Sequence, residues 1–123
     1  MINSAARYEK LRTYMKEQGI DAVYVISPEN FFYMSGYNNP DGHMLITLNA
    51  SYAFSDFRYI EAARAESFDC VNVVLSTEST MYDVIKNEGI RKLGIEDTRL
   101  TVAEFDSLIT SLEDTNCGIV KLG

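Results

Sequence analysis

The chain has 123 residues, 46% of them hydrophobic and 24% charged, which suits one ordinary soluble domain with an apolar core. Its formal net charge of -7, with acids scattered among apolar residues, argues against a nucleic-acid surface, which needs clustered Lys and Arg to neutralise phosphate. No apolar run approaches the roughly 20 residues of a membrane span, and residues 1–20 lack the basic, apolar and small-residue series of a signal peptide, so the expected location is the cytoplasm.

In chain order, residues 4–18 set Tyr8, Leu11 and Met15 on one stripe with charge opposite, which predicts an amphipathic helix. Gly19 stands where a left-handed cap ends it. Lys10, Arg12 and Lys16 on this helix are interrupted by Glu9 and Glu17 and read as a solvated face. The run Ala22 to Ile26 is short, apolar and β-branched, the pattern of a central strand covered on both faces. Ser27 is placed to cap the next helix and Pro28 suits its first position, so residues 28–35 are expected to be helical, ended by Gly36. Phe31, Phe32, Tyr33 and Tyr37 read mainly as core aromatics. Residues 37–42 concentrate turn formers around Asn38, Asn39, Pro40 and Asp41 and predict an exposed loop.

Residues 44–48 and 51–54 are two strands joined across Asn49 and Ala50, short enough for an antiparallel hairpin. Asp56 is expected to cap a helix over 57–66 that buries Ile60, Ala62 and Ala63. Residues 70–75 form a further strand. Thr80 with Asp83 opens a helix that ends at Gly89, and residues 92–96 give a strand. Thr101 with Glu104 repeats the capping pattern before a helix whose inner face carries Phe105, Leu108, Ile109 and Leu112. Residues 119–122 close with a last strand. This alternation predicts an α/β fold, a mixed and mostly parallel sheet with an antiparallel hairpin and helices on both faces. No repeat or linker divides residues 1–123, which read as a single domain; the final strand running out at Gly123 fits either a domain cut from a longer protein or a minimal product.

The chemistry-bearing residues are few. His43 is the single histidine, so neither a two-histidine metal motif nor a His-rich zinc site is available, and it reads as a strand-edge residue. Cys70 and Cys117 lack metal or redox spacing and are expected to be buried thiols. Adjacent acids at Glu96-Asp97 and Glu113-Asp114 point apart and read as surface or capping carboxylates. Signatures of a nucleophile elbow or a phosphate-cradling loop do not occur. The most suggestive local group is Asp56-Phe57-Arg58-Tyr59, read as an ion pair organising a strand-to-helix turn, with a substrate-anion clamp through Arg58 as the alternative.

Read together and in order, Gly19-Ile20-Asp21-Ala22, the run Ser27 to Tyr37, Asp56-Phe57-Arg58-Tyr59 with Glu61-Ala62, and Leu93-Gly94-Ile95-Glu96 resemble the N-terminal domain of the creatinase, prolidase and aminopeptidase P family. Asn30, Tyr33, Gly36, Asp56, Arg58 and Tyr59 are the structural positions of that pattern. The resemblance implies that this is the accessory domain of a metal-dependent Xaa-Pro peptidase, an aminopeptidase P or a dipeptidase, that shapes access to the catalytic cleft and builds a homo-oligomer. It implies two divalent ions (Mn, Co or Zn) held by a separate C-terminal catalytic domain, whose ligands have no matching positions here. This chain is therefore expected to hold no metal and no cofactor, and to be inactive alone. Its implied partners are that catalytic domain, a second copy and, through the parent enzyme, proline-containing peptides.

The loop carrying Tyr37, Asn38, Asn39, Asp41 and His43 is the expected contributor to a neighbouring subunit's substrate entrance, since loops on rigid scaffolds commonly carry recognition. Two alternatives stand beside this one. One is a non-catalytic protein-binding module of the same fold. The other is a receiver or flavodoxin-like domain, disfavoured because Ser27-Pro28 rather than an acidic pair follows the first strand.

Overall fold

A computed structural model describes residues 4–122; the chain ends, residues 1–3 and Gly123, lie outside them. The elements are α1 (Ser4–Gln18), β1 (Ala22–Val25), α2 (Pro28–Ser35), β2 (His43–Thr47), β3 (Ser51–Ser55), α3 (Ile60–Glu66), β4 (Val71–Leu75), α4 (Met81–Glu88), β5 (Lys92–Ile95), α5 (Val102–Leu112) and β6 (Gly118–Lys121). The strands form one sheet in the order β4-β3-β2-β1-β5-β6. β2 is antiparallel to both its neighbours, β1 and β3, while the other pairings are parallel, so β2 alone runs against the rest.

This direction rule decides where the loops go. Every strand except β2 ends at the same edge of the sheet, and β2 begins there. Segments following β1, β3, β4 and β5 therefore share that carboxyl edge with the loop that leads into β2. In open α/β sheets this edge is where ligand-facing loops collect.

The period of two along the strands splits the core into two layers. Val23, Val25, Met44, Ile46 and Ala53 pack under α1, α2 and α3 with Tyr8, Met15, Phe31, Met34 and Ala63. Ala22, Leu45, Phe54, Leu93 and Ile95 face α4 and α5 through Met81, Ile85, Leu108 and Leu112. Gly36 ends α2 with a φ of 80°, and Gly89 ends α4 at 63°, as their positions in the sequence predict. Thr80–Asp83 and Thr101–Glu104 both form capping boxes.

Several local expectations are corrected. The third helix starts at Ile60 rather than at residue 57, with Tyr59 at its cap position, because Asp56 is spent on a tight turn that must finish before helix can begin. Of its three expected core residues only Ala63 is buried; Ile60 is half-buried and Ala62 exposed. Phe31 and Tyr37 are core, but Phe32 and Tyr33 are 49% and 48% exposed, since consecutive helical residues fan out by about 100° and cannot share one face. Ile109 is exposed for the same reason, one position off the Leu108–Leu112 stripe. Cys70 is exposed and Cys117 half-buried, because each precedes its strand instead of lying in it. Arg12 leaves the solvated face of α1, donating from Nε to the Thr47 carbonyl at 3.0 Å.

Candidate functional site

Two of the segments singled out in the sequence meet at the carboxyl edge. After β3 the chain turns through Asp56, whose Oδ1 accepts the Arg58 backbone N–H at 3.0 Å. Its Oδ2 accepts from Arg58 Nη2 at 2.7 Å and from Nε at 3.2 Å, a forked pair that holds the Asp56 carboxyl below its ordinary range. The Arg58 guanidinium lies 5.1 Å from the centre of the Tyr59 ring. With the Arg58 and Asp56 side chains drawn back on the turn, Phe57 projects into solvent at 76% exposure.

The loop before β2 lies near this turn. Tyr37 is buried, its ring edge-on to Phe31 at 6.3 Å, and its hydroxyl is pushed up in pKa by burial, then by the nearby Glu66, Tyr59 and Asp56, with Asn39 pulling the other way. Asp41 sits close enough to Arg58 to support its charge. Gly42 is the position that lets the loop close: a Cβ there would lie 2.3 Å from the Phe31 ring. Asn38 and Asp41 are exposed and Asn39 half-buried. His43 is separated from them across the sheet. Its ring stacks on Phe54 at 5.5 Å and meets Tyr24 edge-on at 6.1 Å, and burial lowers its pKa below 6.5.

A second cluster was not recognised in the sequence as a site. Glu96, read there as a surface or capping carboxylate, is 8% exposed. Its Oε1 accepts the backbone N–H groups of Ile26 and Ser27 at 2.5 and 3.0 Å, and its Oε2 accepts from Ser27 Oγ at 2.7 Å and Asn30 Nδ2 at 2.8 Å. Ser27 occupies the cap position of α2 but gives its hydroxyl to Glu96 instead of accepting a helix N–H. The pair Arg99–Glu29 closes the outside of this clamp. A signal for it does exist in the sequence. An acid directly after an apolar strand, beside another strand followed by Ser-Pro, becomes a partner once β1 and β5 are known to be parallel neighbours in the register Tyr24 to Ile95.

Asn30 and Tyr33, from the family pattern, thus lie beside the clamp and Asp56, Arg58 and Tyr59 in the edge turn, all within one sheet edge and its flanking helix. The sequence profile of the Creatinase/Prolidase N-terminal domain matches residues 7–121. The chain belongs to that family. This creatinase/prolidase N-terminal domain is 29% identical over 110 residues to the uncharacterized peptidase YqhT of Bacillus subtilis (strain 168), covering 88% of this chain and 31% of that protein. Its fold matches the N-terminal domain of the cytoplasmic peptidase PepQ of Mycobacterium tuberculosis H37Rv with a TM-score of 0.87 and 26% identity over 96% of this chain and 93% of that one. It matches the Xaa-Pro dipeptidase of Bacillus anthracis with a TM-score of 0.84 and 25% identity over 98% of this chain and 34% of that one. The chain therefore spans about a third of the length of the curated relative it matches.

Among the described residues no helix is long and apolar enough to cross a membrane. Nor, among them, do three or more His, Cys, Asp or Glu converge as a metal site. At the carboxyl edge the Phe57 ring and the Arg58 guanidinium remain exposed.

Proposed function

We propose that this chain is the accessory N-terminal half of a metal-dependent Xaa-Pro peptidase, either an aminopeptidase P or an Xaa-Pro dipeptidase, acting in the cytoplasm as a homo-oligomer. The patch built from residues 38–41 of the loop and the 56–59 turn borders the substrate entrance of a neighbouring subunit, with Tyr37 buried beneath it and His43 outside it. The observation that carries this reading is that exposed Asn38 and Asp41 of the loop and exposed Phe57 and Arg58 of the turn lie at the same carboxyl edge of the sheet. Family membership and relatives that are peptidases support the catalytic class. Divalent-ion chemistry is assigned to the catalytic half, as the family resemblance implies. What this half supplies is position: it narrows the entrance and offers Arg58 and Phe57 to proline-containing peptides.

The test uses the full-length protein with Mn and an Xaa-Pro dipeptide, beside the 123-residue chain under the same conditions. The full-length protein is expected to turn over and the 123-residue chain to be inactive. Phe57→Ala and Arg58→Ala are each expected to raise KM by about three- to tenfold with kcat nearly unchanged, the pattern of lost binding. Chelator-sensitive turnover by the 123-residue chain, or a full-length protein inert toward Xaa-Pro bonds, overturns the reading. Unchanged KM in both variants removes the patch from the substrate entrance.

A further inference from the structure

Beside the Glu96 clamp, a groove of about 450 Å³ opens between α1, α2 and the β1–β5–β6 side of the sheet. Its floor is apolar, made by Val23, Val25 and Leu122, and its rim carries Tyr14 and Tyr33, which are 43% and 48% exposed. Apolar floors of this size gain by being covered, at roughly 25 cal/mol per Å² removed from water.

Charge indicates what covers it. The rim holds Arg7 and Lys10 in a chain of net charge -7. Neither belongs to any of the ion pairs of the described residues. Arg7 donates to the Tyr33 carbonyl at 2.7 Å and lies 4.0 Å over the Tyr33 ring, contacts that hold the guanidinium in place without neutralising it. The one carboxylate in the lining, Glu96, is buried and keeps its charge, its four hydrogen-bond donors all being neutral. Set against it, Arg7 and Lys10 still leave the lining with a net positive charge, carried on the rim.

The path of the chain indicates where the cover comes from. Beyond β6 the Leu122 N–H donates to the Ile95 carbonyl at 2.9 Å, and the Leu122 side chain lies over Gly94, where a Cβ would come within 2.9 Å of it. The backbone is thus pinned as it leaves the sheet, with Leu122 forming part of the groove. The matched family is that of an N-terminal domain, and the chain spans 31% of one relative and 34% of another.

We propose that this groove seats an apolar, acidic segment of the half that follows in the same polypeptide, placing an apolar side chain on Val23, Val25 and Leu122 and a carboxylate against Arg7 and Lys10. This rests on the accessory-half reading. Exposed rim charges select and orient such a segment, while apolar burial and tethering through Leu122 supply the affinity.

Hydroxyl-radical footprinting of the 123-residue chain and of the full-length protein tests it. Oxidation of Tyr14 and Tyr33 is expected to fall about fivefold or more in the full-length protein, a tethered contact being largely occupied. Val102, 78% exposed on the helix covering the other sheet face, serves as the unaffected control. Lys10→Glu, at an exposed position, and Arg7→Gln are each expected to restore Tyr14 oxidation. Equal footprints, protection that both variants keep, or protection already present in the short chain and rising with its concentration overturns the proposal. The two readings fail separately. An active full-length protein with an open groove rejects only the groove, and an inactive one with protected tyrosines rejects only the catalytic assignment.

Discussion

Four hydrogen bonds converge on Glu96, two from backbone amides and two from side chains, and they govern how it titrates. Burial alone raises its pKa, but the amides of Ile26 and Ser27, the Ser27 hydroxyl and Asn30 outweigh burial and bring it below 4.5. A carboxyl with a lowered folded pKa stabilises the fold fully above its unfolded value, and that contribution is lost as pH falls through the folded value. Glu96→Gln is therefore expected to cost about 2–3 kcal/mol near neutral pH, with the gap to wild type closing below about pH 4.5. Urea denaturation of both proteins across this range measures it; a gap that does not narrow on acidification contradicts the assignment. His43 gives an independent check because it is the single imidazole in the chain. Burial between Phe54 and Tyr24 favours its neutral form, so its contribution is present above 6.5 and lost as pH falls through the lower folded pKa. An NMR titration of the ring proton is expected to show a midpoint below 6.5, and a midpoint at or above it refutes the packing described.

Elements are joined here by positions where a side chain has no room. Gly42 sits in the loop before β2, where the Phe31 ring from α2 occupies the space a Cβ needs. Phe31 is 2% exposed and cannot swing away without opening the α1–α3 layer. Gly42→Ala is thus an overpacking change, expected to destabilise by about 1–3 kcal/mol, and to loosen the loop that carries Asn38, Asn39 and Asp41. Thermal unfolding with amide hydrogen exchange reads both effects; unchanged stability with unchanged exchange in residues 37–42 argues against this contact. The capping boxes behave differently. Each ties residues three apart on the same helix, so Thr101–Glu104 and Thr80–Asp83 were readable without any tertiary partner.

At the scale of the whole molecule, the periodicities and stop signals determine the fold class, the order of elements and the two-layer core, because each depends on residues within one turn or one pleat of one another. The family pattern was legible for the same reason, being a set of local words in fixed order, and the Asp56–Arg58 ion pair is as expected, whereas the helix cap falls on Tyr59 instead of Asp56. Tertiary structure decided what depends on which strands lie side by side. Only the β1–β5 pairing turns Glu96 from a surface acid into the clamp on Ile26, Ser27 and Asn30 across some seventy residues of sequence. Only the lone reversal of β2 brings the 37–43 loop to the same sheet edge as the 56–59 turn, with Tyr37 and His43 in different layers. The groove beneath Tyr14 and Tyr33 likewise needs α1, α2 and Leu122 brought together. A sequence by itself specifies what each residue prefers over short spans; which distant groups meet follows from strand order and direction, set by how the whole set of apolar faces is buried at once.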